Sequence, residues 1–190
     1  MSCLLSNPKT TSCEAKSQIG GLRPTVWALN LNSSDGTKLV YTETGSTIEA
    51  ITVQSGEQAF RIDGEKFAHD LLADGVKNDG GNVYFQPTLN IRSIVDTDAD
   101  LTWLSQMVKA TNLVFIVEKP NKTFLVIGQN NGMSYLAGTI NEGGQTADSN
   151  VSSLIGFQGE ETDAPYKLLD VGTGYEDTLT YILGLETPAP

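Results

Sequence analysis

Residues with the potential for chemistry are few and scattered through this chain. His69 is the only histidine among 190 residues, so a nucleophile–histidine–acid triad, a histidine-bearing metal site or a histidine proton relay would have to be built on it. No signature of the G-x-S-x-G kind supplies a nucleophile beside it, and His69 reads as an exposed loop residue. Cys3, Cys13 and His69 are possible soft ligands. Their spacing lacks the paired pattern of a structural zinc site, so no metal site is assigned within one chain, and a site shared between subunits stays open. Two cysteines are too few for a disulfide framework; they read as free thiols of a reducing compartment, with pairing across a small local loop as the alternative.

The run Asp96-Thr97-Asp98-Ala99-Asp100 imitates the start of a calcium loop. Such a loop needs glycine at its sixth position and glutamate at its twelfth, where Leu101 and Met107 stand. Carboxylates at a helix start accept its unpaired N–H groups, and the run reads as a cap. Gly172-Thr173-Gly174 and Gly143-Gly144 are too short to cradle phosphate and read as turns. Asn32-Ser33-Ser34, Asn121-Lys122-Thr123 and Asn150-Val151-Ser152 match the glycosylation pattern, but no signal peptide precedes them and they read as products of turn-rich composition. Carboxylates are plentiful, yet sequence gives no separation between them from which to argue a glycosidase pair. No catalytic, cofactor-binding or metal-binding residue is therefore assigned, no cofactor is expected, and the chain is not expected to be an enzyme. An acid-based hydrolase ranks last among the functions considered.

Short strands dominate the elements that would have to position any site. Residues 25–32 (TVWALNLN) alternate, and the turn through Asp35-Gly36 predicts a return strand at 38–42, because glycine supplies the positive φ a tight turn needs. Further strands are expected at 47–53, 58–62, 82–94, 113–118, 123–127, 133–140 and 151–159, with Pro87 marking an edge or a bulge, and a short segment of unassigned type follows at 166–170. Residues 64–81 fit a helical turn or a long projecting hairpin loop equally, and 176–183 a strand or a helical turn. One helix is expected, from Asp96 to Ala110, with Leu101, Leu104, Met107 and Val108 at helical spacing, acids in its first turn and Lys109 at its end. The pattern predicts a mainly β fold, a β-sandwich or β-barrel with one flanking helix. Residues 1–24 read as an extended N-terminal arm, 25–185 as a single β-rich domain, and 186–190 as a C-terminal tail.

Composition narrows function by exclusion. With 39% hydrophobic and 18% charged residues the chain is expected to fold, and no apolar run reaches the roughly 18 residues of a membrane span. The start, MSCLLSNPKTTSCEAK, lacks the order of a secretory signal, and both termini are expected to be gripped by the body or by neighbouring subunits. The net charge is −11, and the nine acids after Ile140 (Glu142, Asp148, Glu160, Glu161, Asp163, Asp170, Glu176, Asp177 and Glu186) face the single base Lys167. Such an excess repels phosphate and argues against tight nucleic-acid binding. It suits a wall past which DNA slides, and it also suits solubility alone.

Two stretches carry a resemblance. Cys13 with Gly20-Gly21-Leu22-Arg23, leading to Trp27 and Leu29, resembles the opening of structural proteins from phages of Bacteroidetes bacteria. Met133-Ser134-Tyr135, then Gly143-Gly144-Gln145-Thr146-Ala147-Asp148-Ser149-Asn150, Leu154-Ile155-Gly156-Phe157-Gln158-Gly159-Glu160-Glu161 and Ala164-Pro165 resemble the closing strands of phage tail-tube proteins. The resemblance implies a sandwich with a flanking helix whose sheet joins its neighbours' sheets into a ring, usually sixfold, around a DNA channel. It implies a virion protein of the tail tube or the neck connector, made in the bacterial host cytoplasm. Its partners would be copies of itself, adjacent tail or neck proteins, and genomic DNA passing unbound through the lumen, with no membrane. Residues 1–24 and the loop at 64–81 would then be the stacking elements, and part of the acidic excess after Ile140 would face the channel. The alternative is a monomeric Ig-like binding or decoration module of a virion or cell surface.

Overall fold

The structure is a computed structural model and describes residues 21–33, 35–64, 69–93, 97–140 and 153–189. Eleven strands and two helices follow in the order β1 (Thr25–Asn30), β2 (Val40–Thr44), β3 (Thr47–Thr52), β4 (Phe60–Asp63), β5 (Asp70–Lys77), β6 (Val83–Ser93), α1 (Asp98–Lys109), β7 (Leu113–Glu118), β8 (Phe124–Ile127), β9 (Met133–Ile140), β10 (Ser153–Gly159), β11 (Lys167–Leu169) and α2 (Tyr175–Leu185). The fold is mainly β, as expected.

The strands form one hydrogen-bonded network with two parts. A central sheet runs β4-β1-β7-β8-β11-β3-β2, antiparallel throughout except where β11 lies parallel to β3. A smaller sheet runs β9-β10-β6-β5, all antiparallel, and meets the central one through the single pair Leu113↔Met133.

Alternation explains why the central sheet is buried on both faces. Every residue of β7 is buried. Leu113, Phe115 and Val117 enter one core, while Val114 and Ile116 enter the other, because successive side chains of a strand leave opposite faces. β1 sends Val26 and Ala28 to the first core and Trp27 and Leu29 to the second; β8 divides Leu125 and Ile127 from Phe124 and Val126 in the same way. The first core is closed by Leu89, Ile91, Ile155 and Phe157 of the smaller sheet and by Leu104 and Met107 of α1. The second is closed by α2, through buried Ile182 with Tyr175, Leu179 and Leu185 against it.

Thr97 caps α1: its Oγ1 accepts the Asp100 N–H, and the Asp100 carboxylate accepts the Thr97 N–H in return. The helix lies within the expected span, but only two of its four periodic apolar residues are buried; Leu101 and Val108 stay 46% and 37% exposed. α2 resolves an ambiguity in favour of helix. Thr178, Thr180 and Ile182 suit a strand's period of two, whereas Leu179, Ile182 and Leu185 follow a helical stripe, and burial against β3 selects the stripe. The Tyr181 hydroxyl secures it by donating to the Ile51 carbonyl and accepting the Ile51 N–H, both at 2.7 Å.

Two expectations are corrected here. The return strand expected at 38–42 bridges β1 only at Asn32↔Lys38; β2 then turns away to pair with β3, because both edges of the doubly apolar β1 are taken by β4 and β7. Where a helical turn or a long projecting hairpin loop was expected at 64–81, the described residues 69–81 hold the strand β5, joined to β6 across a turn in which Asn78 Oδ1 accepts the Asn82 N–H. Pro87 lies between the Thr88↔Gln158 pair and the Phe85↔Glu161 bridge, an interruption of the ladder that suits a residue with no N–H. The C-terminal residues are held: Ala189 exchanges backbone hydrogen bonds with Gly56 and Glu57, and the Trp27 indole donates to Glu186 at 2.7 Å. Residues 1–20 of the expected arm lie outside the described residues.

Candidate assembly surface

The residues singled out by their chemistry do not converge. Cys3, Cys13, Asp96, Gly143, Gly144 and Asn150 lie outside the described residues. Asp98 and Asp100 stand at the start of α1. Thr173 donates its N–H and hydroxyl to the Asp177 carboxylate, which those bonds hold below the usual range, so Gly172-Thr173-Gly174 is a turn feeding α2. Among the described residues no group of three or more His, Cys, Asp and Glu side chains is placed to hold a metal ion, and no helix is long and apolar enough to cross a membrane.

His69 is the clear departure from expectation. It is 1% exposed, with Nδ1 accepting the Arg92 N–H at 3.0 Å and Nε2 2.9 Å from the Pro24 carbonyl. A non-local packing of β4, β6 and the chain preceding β1 buries it, and no local pattern signals that. Glu161, one of the nine acids after Ile140, is fully buried as well, which no local pattern signals. One carboxylate oxygen accepts the Asn130 N–H at 3.1 Å; the other is buried without a hydrogen-bond partner, and burial pushes this carboxyl up. Burial, and after it the Glu161 charge, pushes the Tyr41 phenol up as well.

Clefts among the described residues offer no catalytic grouping. One of about 550 Å³ separates β5 from the β7–β8 turn and is lined by Leu22, Leu71, Leu125 and Tyr166 with Asp70 and Lys119 at its rim. Another of about 620 Å³ is lined by Asn78, Asn82, Tyr84, Asn131, Glu160 and Glu161. Neither gathers a nucleophile with a base.

The surface with the most distinctive geometry is the smaller sheet. Its outer face carries polar cross-strand pairs, Asn90 donating to Asp70 and Gln158 to Thr88, each at 3.0 Å, beside Leu72, Val76 and Leu154 of the same parity. Within its strands the charged side chains in register on this face are Asp70, Asp74 and Arg92. Among the described residues both edges are open. β5 pairs only with β6, and β9 meets β7 at Met133 alone, which leaves residues 134–140 unpaired on the side away from β10. The two edges are eight residues each, and three antiparallel steps separate them, so they run in opposite directions. Each carries one exposed leucine: Leu72 on β5 at 56% and Leu136 on β9 at 51%. Leu136 is the extra residue of a bulge, since Ala137 pairs with Gly156 and Tyr135 with Phe157.

The chain is thus a layered β protein, with α2, a doubly buried central sheet, and a smaller sheet that closes the first core together with α1. No family model matches it, and no curated protein or solved structure matches it either.

Proposed function

We propose that this chain is a structural subunit of a phage virion, assembling into a closed ring of the tail tube or neck around a channel for DNA. The observation that carries this reading is the pair of open, equally long, oppositely directed edges on one sheet. A long unpaired edge is a liability that soluble proteins blunt or use. Rotating one copy about an axis along the strands sets its β5 antiparallel to β9 of the next. A heterologous contact of this kind closes into a ring when the rotation divides the circle, and sixfold order is the one that the resemblance implies.

On this reading the outer face of the smaller sheet, with its Asn90–Asp70 and Gln158–Thr88 pairs, lines the channel. Asp170, Glu176, Asp177 and Glu186 belong to the α2 layer across the central sheet, so they face outward. On this reading these four are not among the part of the acidic excess expected to face the channel. The few charges of the outer face, mixed in sign, offer passing phosphate neither a strong grip nor a strong barrier. The chain acts on this reading by assembly and carries out no reaction.

Light scattering and negative-stain imaging of the purified protein across concentration test this. Rings, abolished by Leu72→Lys or Leu136→Lys, are the expected result. A protein that stays monomeric at high concentration overturns the reading and favours the decoration or binding module.

A further inference from the structure

His69 sits where three separate stretches of chain meet. Its Nδ1 accepts the backbone N–H of Arg92 in β6. Its Nε2 faces the carbonyl of Pro24, just ahead of β1, which also accepts the N–H of Gly64 just past β4. An N–H donor on one ring nitrogen and a carbonyl on the other admit only one assignment, the neutral imidazole with its proton on Nε2. The ring is held from the side as well: a Cβ built on Gly64 would lie 2.1 Å from His69 Cε1 and 2.3 Å from the Arg92 carbonyl oxygen. The next residue, Asp70, opens β5.

We propose that His69 is an acid-released clasp that ties the chain before β1, the end of β4 and the start of β5 to β6 while neutral and lets go when protonated. Protonation turns Nδ1 from acceptor to donor and sets it against the Arg92 N–H, two donors face to face at a residue only 1% exposed. An unmade bond in so buried a place is costly. The described charged groups around the clasp are Asp63 at the end of β4, Asp70 on β5 and Arg92 on β6. Asp63 is engaged by the Thr25 hydroxyl and by Arg61, and Asp70 by Asn90. Of these, the Asp70 charge favours the imidazolium, but burial outweighs it and holds the imidazole below the ordinary histidine value. The folded state therefore binds this proton less readily than the opened one. Stability from the clasp is complete above the free histidine value and is lost as pH falls below it.

Because the chain has one histidine, a single imidazole resonance reports on the clasp. The experiment is a nuclear magnetic resonance titration of the whole chain from pH 8 to 4, with amide hydrogen exchange at Arg92 and Gly64 at each step. The expected result is a neutral Nε2–H tautomer persisting below the free histidine value. Opening at the Arg92 and Gly64 amides should rise about tenfold per pH unit there, after correction for intrinsic exchange chemistry. His69→Gln, which retains an amide donor and acceptor but cannot titrate, should flatten that rise. An imidazole that titrates at the ordinary value while both amides stay protected overturns the proposal, as does an undiminished rise in the variant. Should the variant not fold, the titration of the unaltered chain decides alone.

Discussion

The two sheets of this molecule use the same pleat to opposite ends. In the central sheet both parities are apolar, so Phe115 and Ile116, adjacent in sequence, disappear into different cores. In β6 of the smaller sheet the parities part: Leu89 and Ile91 point inward, while Thr88, Asn90 and Arg92 stay at the surface or near it. Burial is thus concentrated in the first sheet, and exposed surface in the second. The difference teaches that the number of apolar faces on a strand decides whether it serves the fold alone or leaves a side for something else.

The sharpest way to break this contrast is to remove a large side chain from the doubly buried sheet. Phe115→Ala, which also loses the ring contact with Phe157 at 4.9 Å, should cost about 3–5 kcal/mol in urea-induced unfolding. Gly132→Ala tests the junction at which the smaller sheet leaves the central one. Gly132 has φ +74, and an added Cβ would lie 2.3 Å from the Asn112 Cα, so a loss of about 1–3 kcal/mol is expected in the same measurement. Thr97→Ala removes the cap of α1, on the side of the first core, and should lower stability by about 1 kcal/mol. The smallest effect on the fold belongs to the open edges: Leu72→Lys and Leu136→Lys should each shift monomer stability by less than about 0.5 kcal/mol. A large loss of stability there, with assembly unchanged, would show that the edges serve the fold after all.

Glu161 sharpens the comparison through pH. Its carboxyl is raised by burial, so the favourable contribution is that of the protonated form, present below the unfolded carboxyl value and lost as pH rises through the folded one. His69 has the opposite sign, its contribution being lost as pH falls below the free histidine value. Glu161→Gln should therefore flatten the decline of melting temperature on the rising side of the carboxyl range and leave the histidine range unchanged.

Much of the fold was legible from residue pattern, and the reasons are local. β7, β8 and β9 lie where apolar runs and turn residues put them, and α1 announces itself by its cap and its acidic first turn. β5 was not legible: none of its eight residues is fully buried, Gly75 interrupts it, and Asp70, Asp74 and Lys77 read as loop. An edge strand has little reason to carry an apolar signal. Of the candidate surface, sequence showed only that chemistry-bearing residues are sparse. The matched length and opposed direction of β5 and β9 arise from pairings between segments far apart in the chain, and the burial of His69 from three such segments meeting at once.

The position of β11 bears on how this chain is made. That three-residue strand lies between β3 and β8, yet it comes after almost everything else in the sequence. A ribosome must release most of the chain before the β2–β3 hairpin has anything to join, so the hairpin waits with an apolar edge uncovered. Pairing across such distances is slow relative to local structure, and a nascent chain halted before Lys167 would expose Ile48 and Ile51 to whatever holds unfinished proteins in the cell.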